Sequence, residues 1–227
     1  MTLSYNLNQI QQLITQTELS CKRRPGSVLL LAVSKQQSAQ AIKEVFQLGV
    51  KNFGENYFQE AQEKIIELKE LDLCWHFIGP IQSNKTKGIA TNFNWVHSIN
   101  RIKIAQLLNE YRSTKLPPLN VCLQISLIEE QNKSGIPCEQ AADLAFAVSQ
   151  LPNLKLRGLM TIPPPQINQQ EQYNTLIQLN QLMHTLNQQL GLDMDTLSMG
   201  MSDDLIPAIK AGSTIVRVGR AIFGERS

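Results

Sequence analysis

Lys35 closes the apolar run "LLLAVSK" (29–35), which has the composition of a buried strand. A lysine amine condenses with aldehydes to a Schiff base, and desolvation at a strand end makes it easier to deprotonate for that reaction. Far along the chain, "LSMGMSDD" (197–204) runs from one strand-like stretch into a helix start at Ser202, and "VRVGRAIFG" (216–224) brings Gly219 close to the end of the next. Backbone N–H groups at such turns can approach an anion such as phosphate. Pyridoxal 5′-phosphate carries both an aldehyde and a phosphate, so Lys35 facing Ser202 and Gly219 is a pair that this cofactor would join. Arg217 falls beside them, and a cation facing the pyridine nitrogen disfavours its protonation and weakens the ring as an electron sink. Such a site suits holding the cofactor, or proton exchange at an α-carbon, better than transamination. A barrel enzyme acting on a phosphorylated sugar through a lysine Schiff base would use the same groups without a cofactor, and would be colourless.

These residues need a scaffold that gathers strand ends at one mouth. Leu3, Leu7, Ile10 and Ile14 recur at helical spacing, which predicts an opening amphipathic helix. Eight strand-like runs follow: "VLLLAVSK", "VKNFGEN", "LCWHFIG", "NWVHSI", "LNVCLQISL", "LKLRGLMTI", "DTLSMGM" and "STIVRVGRAIFG". They are continuous apolar runs, as strands buried on both faces of a parallel sheet are. Helical stretches lie between them. "SAQAIKEVFQLG" offers Ser38 as N-cap and Gly49 as C-terminal stop, and "IPCEQAADLAFAVSQLPN" places Pro137 in a first turn. Eight β-then-α units predict a single α/β domain over residues 1–227, a (β/α)8 barrel of the TIM type with an extra N-terminal helix. A doubly wound open sheet is the second choice. In a barrel the carboxyl ends of strands face the active-site mouth, which is where Lys35, Asn56, Ser98, Met160 and Arg217 fall. Ser202 is read as the start of a helix, Asp203 and Asp204 as its first-turn acids, and Pro207 as a residue that shortens it.

Composition narrows the classes. The 227 residues are 42% hydrophobic with a net charge of +2, so there is no strong field for nucleic acid or an acidic membrane. No apolar stretch approaches the roughly 20 residues that span a bilayer, and the start lacks a signal-peptide layout, so a cytoplasmic protein is expected. Cys21, Cys74, Cys122 and Cys138 form no C-x-x-C pair and read as packing residues. His76 and His97 on apolar runs read as core histidines, His184 as a solvated helix residue, and "QSNKTKG" (82–88) as a solvated basic turn.

Taken in order, "LLAVSK", "FGENYFQEAQEKI", "WHFIGPIQSNK", "VHSINR", "NKSGI", "LRGLMTIPPP" and "LSMGMSDDLIPAIKAGSTIVRVGRAIFGER" closely resemble the pyridoxal phosphate homeostasis protein family. The match runs from about residue 5 to 226. The resemblance implies the fold-type III barrel, like the N-terminal domain of alanine racemase. It implies that Lys35 holds the cofactor as a Schiff base, with Asn56 beside the ring and Arg217 at the pyridine nitrogen. Ser202, Gly219 and Arg220 would hold the phosphate, the last two through backbone N–H groups, while Ser198 and Gly200 would line the same floor. Many members carry a small hydroxyl residue where this chain has Arg220. In "GENYFQE", Glu55, Tyr57 and Glu60 are candidates to face the mouth, while Tyr57 and Phe58 are expected instead to dock the following helix against the barrel.

The chain ends at Ser227, three residues after the last strand-like run. Alanine racemases append a second domain and complete the site with a tyrosine base. General acid-base work needs a positioned partner on the far face of the cofactor, and no residue stands out for it. The expectation is a non-catalytic, monomeric carrier acting in intracellular vitamin B6 and amino-acid homeostasis, with PLP-dependent apoenzymes or regulatory proteins as partners. The alternative is a racemase-like enzyme using Lys35 as base.

Overall fold

A computed structural model of the protein describes residues 2–128, 135–164, 166 and 168–224. Asn132, Lys133 and Ser134 of "NKSGI", Pro165 of "TIPPP" and the Glu225–Arg226 end of the last motif lie outside the described residues.

Helix α1 (Leu3–Ser20) begins at Thr2, whose hydroxyl accepts from Tyr5 N, and buries Leu7 and Ile14 of the expected stripe. Strands β1 (Leu29–Val33), β2 (Asn52–Glu55), β3 (Cys74–Phe77), β4 (Trp95–Ile99) and β5 (Leu119–Ser126) follow. After them come β6 (Ile136–Pro137), β7 (Leu154–Met160), β8 (Thr196–Ser198) and β9 (Ile215–Val218). The order is β4-β3-β2-β1-β9-β8-β7-β5, and β5 pairs back onto β4, so eight parallel strands close into a barrel. The eight runs read from the sequence are those strands. The two-residue β6, which hangs from β5, was not among them.

Helices α2 (Ala39–Gln47), α3 (Phe58–Glu67), α4 (Thr86–Asn92), α5 (Ile102–Tyr111), α6 (Ala141–Ser149), α7 (Gln169–Leu190) and α8 (Leu205–Lys210) cover the outside. Ser38 caps α2 by accepting from Ala41 N, and Gly49 turns the chain out with φ +97°, as expected. Packing between strands and helices is apolar. Ile104 and Leu108 of α5 are fully buried, each contributing about 1.5–3 kcal/mol relative to exposure.

Four local expectations are corrected. Pro137 lies in β6 and is followed by a 3-10 turn (Cys138–Gln140), because its fixed φ suits the extended residue before a helix as well as a first turn. Ser202 precedes α8 rather than starting it: a turn over 202–204 intervenes, and Asp204 Oδ1 accepts from Met201 N to close it. Pro207 sits in the first turn of α8, where a missing N–H is tolerated. The segment after Val218 leaves the barrel as the short helix α9 (Arg220–Phe223) instead of extending β9. Among the described residues no helix is long and apolar enough to cross a membrane.

Candidate functional site

The barrel interior is not wholly apolar. His97 on β4 and Ser198 on β8 are separated by two strands around the ring, so the 2.7 Å contact between His97 Nδ1 and Ser198 Oγ crosses the inside of the barrel. It belongs to a chain of five side chains. Asn52 Oδ1 lies 3.1 Å from His76 Nε2, His76 Nδ1 lies 2.9 Å from His97 Nε2, and Arg217 donates to Ser198 Oγ at 2.9 Å. The protons can be assigned. Asn52 Oδ1 can only accept, so His76 Nε2 donates to it; with both imidazoles neutral, the state that burial favours, His97 Nε2 donates to His76 Nδ1 and Ser198 donates to His97 Nδ1. Burial lowers the pKa of His76 to about 3, and burial with repulsion from His76 and Arg217 holds His97 well below its ordinary value.

The upper end of this chain is the guanidinium of Arg217. It also donates to the Ser198 carbonyl at 2.6 Å and to the Thr161 carbonyl at 2.9 Å, bridging the ends of β7 and β8. Burial lowers its pKa to about 10, with Asp204 opposing, so it remains a cation at neutral pH. Two rigid acceptors and a hydroxyl fix a planar fork in one orientation.

Above Arg217, at the carboxyl ends of the strands, is a cavity of about 200 Å³. Its polar wall is Lys35 after β1, Asn56 after β2, Ser202 and Asp203 after β8, and Arg217, Gly219 and Arg220 from β9 onward. Val33, Ile78, Ile162 and Met201 supply the apolar wall. Lys35 is half-buried, and Ser202 and Arg220 are exposed at the rim. Asn56 is held by a close approach: a Cβ on Gly79 would lie 2.0 Å from the Asn56 carbonyl oxygen, so only glycine lets β3 pass there. Its Oδ1 is buried and has no hydrogen-bond partner among the described residues.

Six of the eight residues singled out from the sequence thus share one cavity: Lys35, Asn56, Ser202, Arg217, Gly219 and Arg220. Ser198 and Gly200 do not line it. Ser198 is fully buried behind Arg217, and Gly200, with φ +97°, packs where an added Cβ would meet that of Ala208 at 2.5 Å. Arg220 turns its side chain outward to Asp203, 3.7 Å away. Of the other strand-end residues, Ser98 donates to the Gly79 carbonyl and Met160 is core, so neither reaches the cavity. His76 and His97 are satisfied core histidines as read, and His184 is exposed. Phe58 packs against the core beside Gly88, whereas Tyr57 is 53% exposed.

Lys64, beneath Lys35, was missed, and it engages Glu55 and Glu60, which the sequence offered as mouth residues. Lys64 of α3 is buried and donates to the Ser34 carbonyl (2.7 Å), Glu55 (2.8 Å) and Glu60 (2.5 Å). Burial raises the pKa of Glu55, with Lys64 pulling it down. Only the four-residue spacing of Glu60 and Lys64 hinted at part of this in the sequence. A larger hollow of about 360 Å³ opens against α1 at the other end of the strands. Its acid, Glu18, is already saturated by Gly26 N, Ser27 Oγ and Val28 N, so it anchors a turn and offers no chemistry.

Comparison with known proteins follows the geometry. The family model for the alanine racemase N-terminal domain matches residues 3–227. A pyridoxal phosphate homeostasis protein of Pseudomonas aeruginosa is 51% identical over 225 residues, covering 99% of this chain and 96% of that one. The Escherichia coli K12 protein of the same name is 46% identical over 227 residues, covering 99% and 97%. The solved structure of PipY from Synechococcus elongatus with PLP bound is 35% identical with a TM-score of 0.82, covering 93% of this chain and all of that one. An alanine racemase of Clostridium difficile, 15% identical, superposes at TM-score 0.78 over 99% of this chain and 56% of its own, and shows the shared fold.

Proposed function

This chain belongs to the alanine racemase N-terminal domain family and, within it, to the pyridoxal phosphate homeostasis proteins, and on that premise we propose that it binds pyridoxal 5′-phosphate as a non-catalytic carrier. The observation that carries the reading is one cavity walled by a strand-end lysine, a fixed buried arginine and the glycine-bearing turn after β9. Its fit to the cofactor rests on Asn56, whose buried Oδ1 has no partner among the described residues and would accept from a hydroxyl donor on the ring.

When bound, the cofactor supplies an aldehyde that can be handed on as a coenzyme. The chain's residues would do the rest. Lys35 would hold the aldehyde carbon as a Schiff base. Ser202 and the backbone N–H groups of Gly219 and Arg220 would hold the phosphate at the rim. Arg217, kept charged and donating, would face the pyridine nitrogen and keep a proton off it, weakening the ring as an electron sink. Ser198 would act through Arg217 rather than by touching the cofactor, and Gly200 would shape the turn that presents Ser202. Asp203, the carboxylate at the rim, lies 3.7 Å from the Arg220 guanidinium. The apoenzymes that accept the cofactor, and a single-domain monomer over 1–227, are part of the same proposal.

Two assays on the loaded protein test it. Mixed with a PLP-dependent apoenzyme it should restore that enzyme's activity, and given L-alanine it should produce no D-alanine above a Lys35→Ala control. Racemisation abolished by Lys35→Ala would replace the carrier with an enzyme.

A further inference from the structure

The turn that carries Lys35 is held in an unusual way. Gln36 has φ +61°, a left-handed conformation that costs a residue with a Cβ roughly 1–2 kcal/mol, so surrounding bonds must maintain it. Those bonds form a ring. The carbonyl of Ser34, in the peptide before Lys35, accepts from Lys64 Nζ at 2.7 Å. The N–H of Gln36, in the peptide after Lys35, donates to Glu60 Oε1 at 2.5 Å. Lys64 Nζ and that same Glu60 oxygen are 2.5 Å apart. Both peptide groups attached to the Lys35 Cα are thereby tied to one ion pair on α3. Glu55, fully buried, binds the ensemble from below by accepting from Ser34 Oγ at 2.6 Å and from Lys64 at 2.8 Å.

We propose that Lys64, with Glu60 and Glu55, is a positioning group that locks the backbone on both sides of Lys35, so that its amine enters the cavity on a line suited to the aldehyde of the cofactor. This rests on the pyridoxal phosphate reading above. In the step concerned, Lys35 in its unprotonated form adds Nζ to the aldehyde carbon. The N–C bond forms as the carbonyl opens, and the oxygen leaves as water with both Nζ protons, giving the C=N bond. Nothing is oxidised or reduced. The geometry assigns Lys64 no contact with the cofactor, so its removal should slow this step without weakening recognition of ring and phosphate.

The test compares Schiff-base formation, followed by visible absorbance after mixing with pyridoxal 5′-phosphate, with equilibrium binding of pyridoxine 5′-phosphate, which has no aldehyde. Lys64→Met and Glu60→Ala should each slow band formation about 10- to 100-fold, as loss of near-attack alignment does, while pyridoxine 5′-phosphate binds within about twofold of the unsubstituted protein. Glu60→Gln, which keeps an acceptor for Gln36 and Lys64, should recover most of the rate. Glu60 is only partly buried, so Glu60→Ala decides the matter if Lys64→Met does not fold. Unchanged rates in Glu60→Ala, or a parallel loss of pyridoxine 5′-phosphate binding, would overturn the proposal. No band in the unsubstituted protein would instead overturn the cofactor reading itself.

Discussion

His97 and Ser198 meet at 2.7 Å across the barrel interior, and that contact joins Arg217 to a buried chain of neutral imidazoles ending at Asn52. Each member between the two ends both donates and accepts, so the chain is polarised in one direction from Arg217 to Asn52 and its bonds reinforce one another. The arginine is consequently held from behind, not merely placed at the cavity wall.

Removing the hydroxyl that couples the two should therefore act on stability before it acts on ligand. Ser198→Ala leaves His97 Nδ1 buried without its donor and takes one acceptor from Arg217. Unfolding in urea should show a loss of about 1–3 kcal/mol, with the affinity for pyridoxal 5′-phosphate changed less than by Asn56→Ala. A large affinity loss at unchanged stability would place Ser198 in contact with the ligand.

Acid should destabilise the protein through the same pair. Their folded-state pKa values lie below the ordinary 6.5, near 3 for His76 and well below that ordinary value for His97, so between about pH 6.5 and 3 the unfolded chain takes up protons that the native barrel refuses. Stability conferred by the neutral rings is complete above about pH 6.5 and falls on acidification, by up to about 1.4 kcal/mol per pH unit for each histidine. Glu55, whose folded pKa is raised, works the opposite way nearer its own range. Urea unfolding at pH 7, 6 and 5 should show the decline, and His97→Asn should flatten it. A flat profile would mean that the rings are not held neutral.

The strained turn yields an ordering. Glycine adopts φ +61° freely and a β-branched residue does so poorly. Thermal unfolding should rank Gln36→Gly at or above the unsubstituted protein, by roughly 0.5 kcal/mol, and Gln36→Val below it by about 1 kcal/mol or more. Equal midpoints for the two variants would show that the turn relaxes and is not held by its ring of bonds.

Much of the fold was legible because strands buried on both faces read as uninterrupted apolar runs, and "LLLAVSK" or "LNVCLQISL" offers few other options. Lys35, Asn56 and Arg217 were legible for a related reason, since a polar residue ending such a run must face something polar. What the pattern could not tell is the layer. Ser198 ends β8 and Arg217 is next to last in β9, yet one stands behind the other, and depth along a barrel axis depends on register between strands distant in sequence. Lys64 was invisible for the opposite reason. A lysine in mid-helix reads as solvated, and only the packing of α3 under β1 makes it a buried donor to three acceptors.

The central claim is that Lys35 carries pyridoxal 5′-phosphate, and the visible absorption spectrum tests it most directly. The purified protein mixed with pyridoxal 5′-phosphate should show a yellow Schiff-base band that borohydride bleaches, leaving the phosphopyridoxyl mass on the peptide containing Lys35, and Lys35→Ala should show none of this. No band in the unsubstituted protein, or the mass found on another lysine, would contradict it.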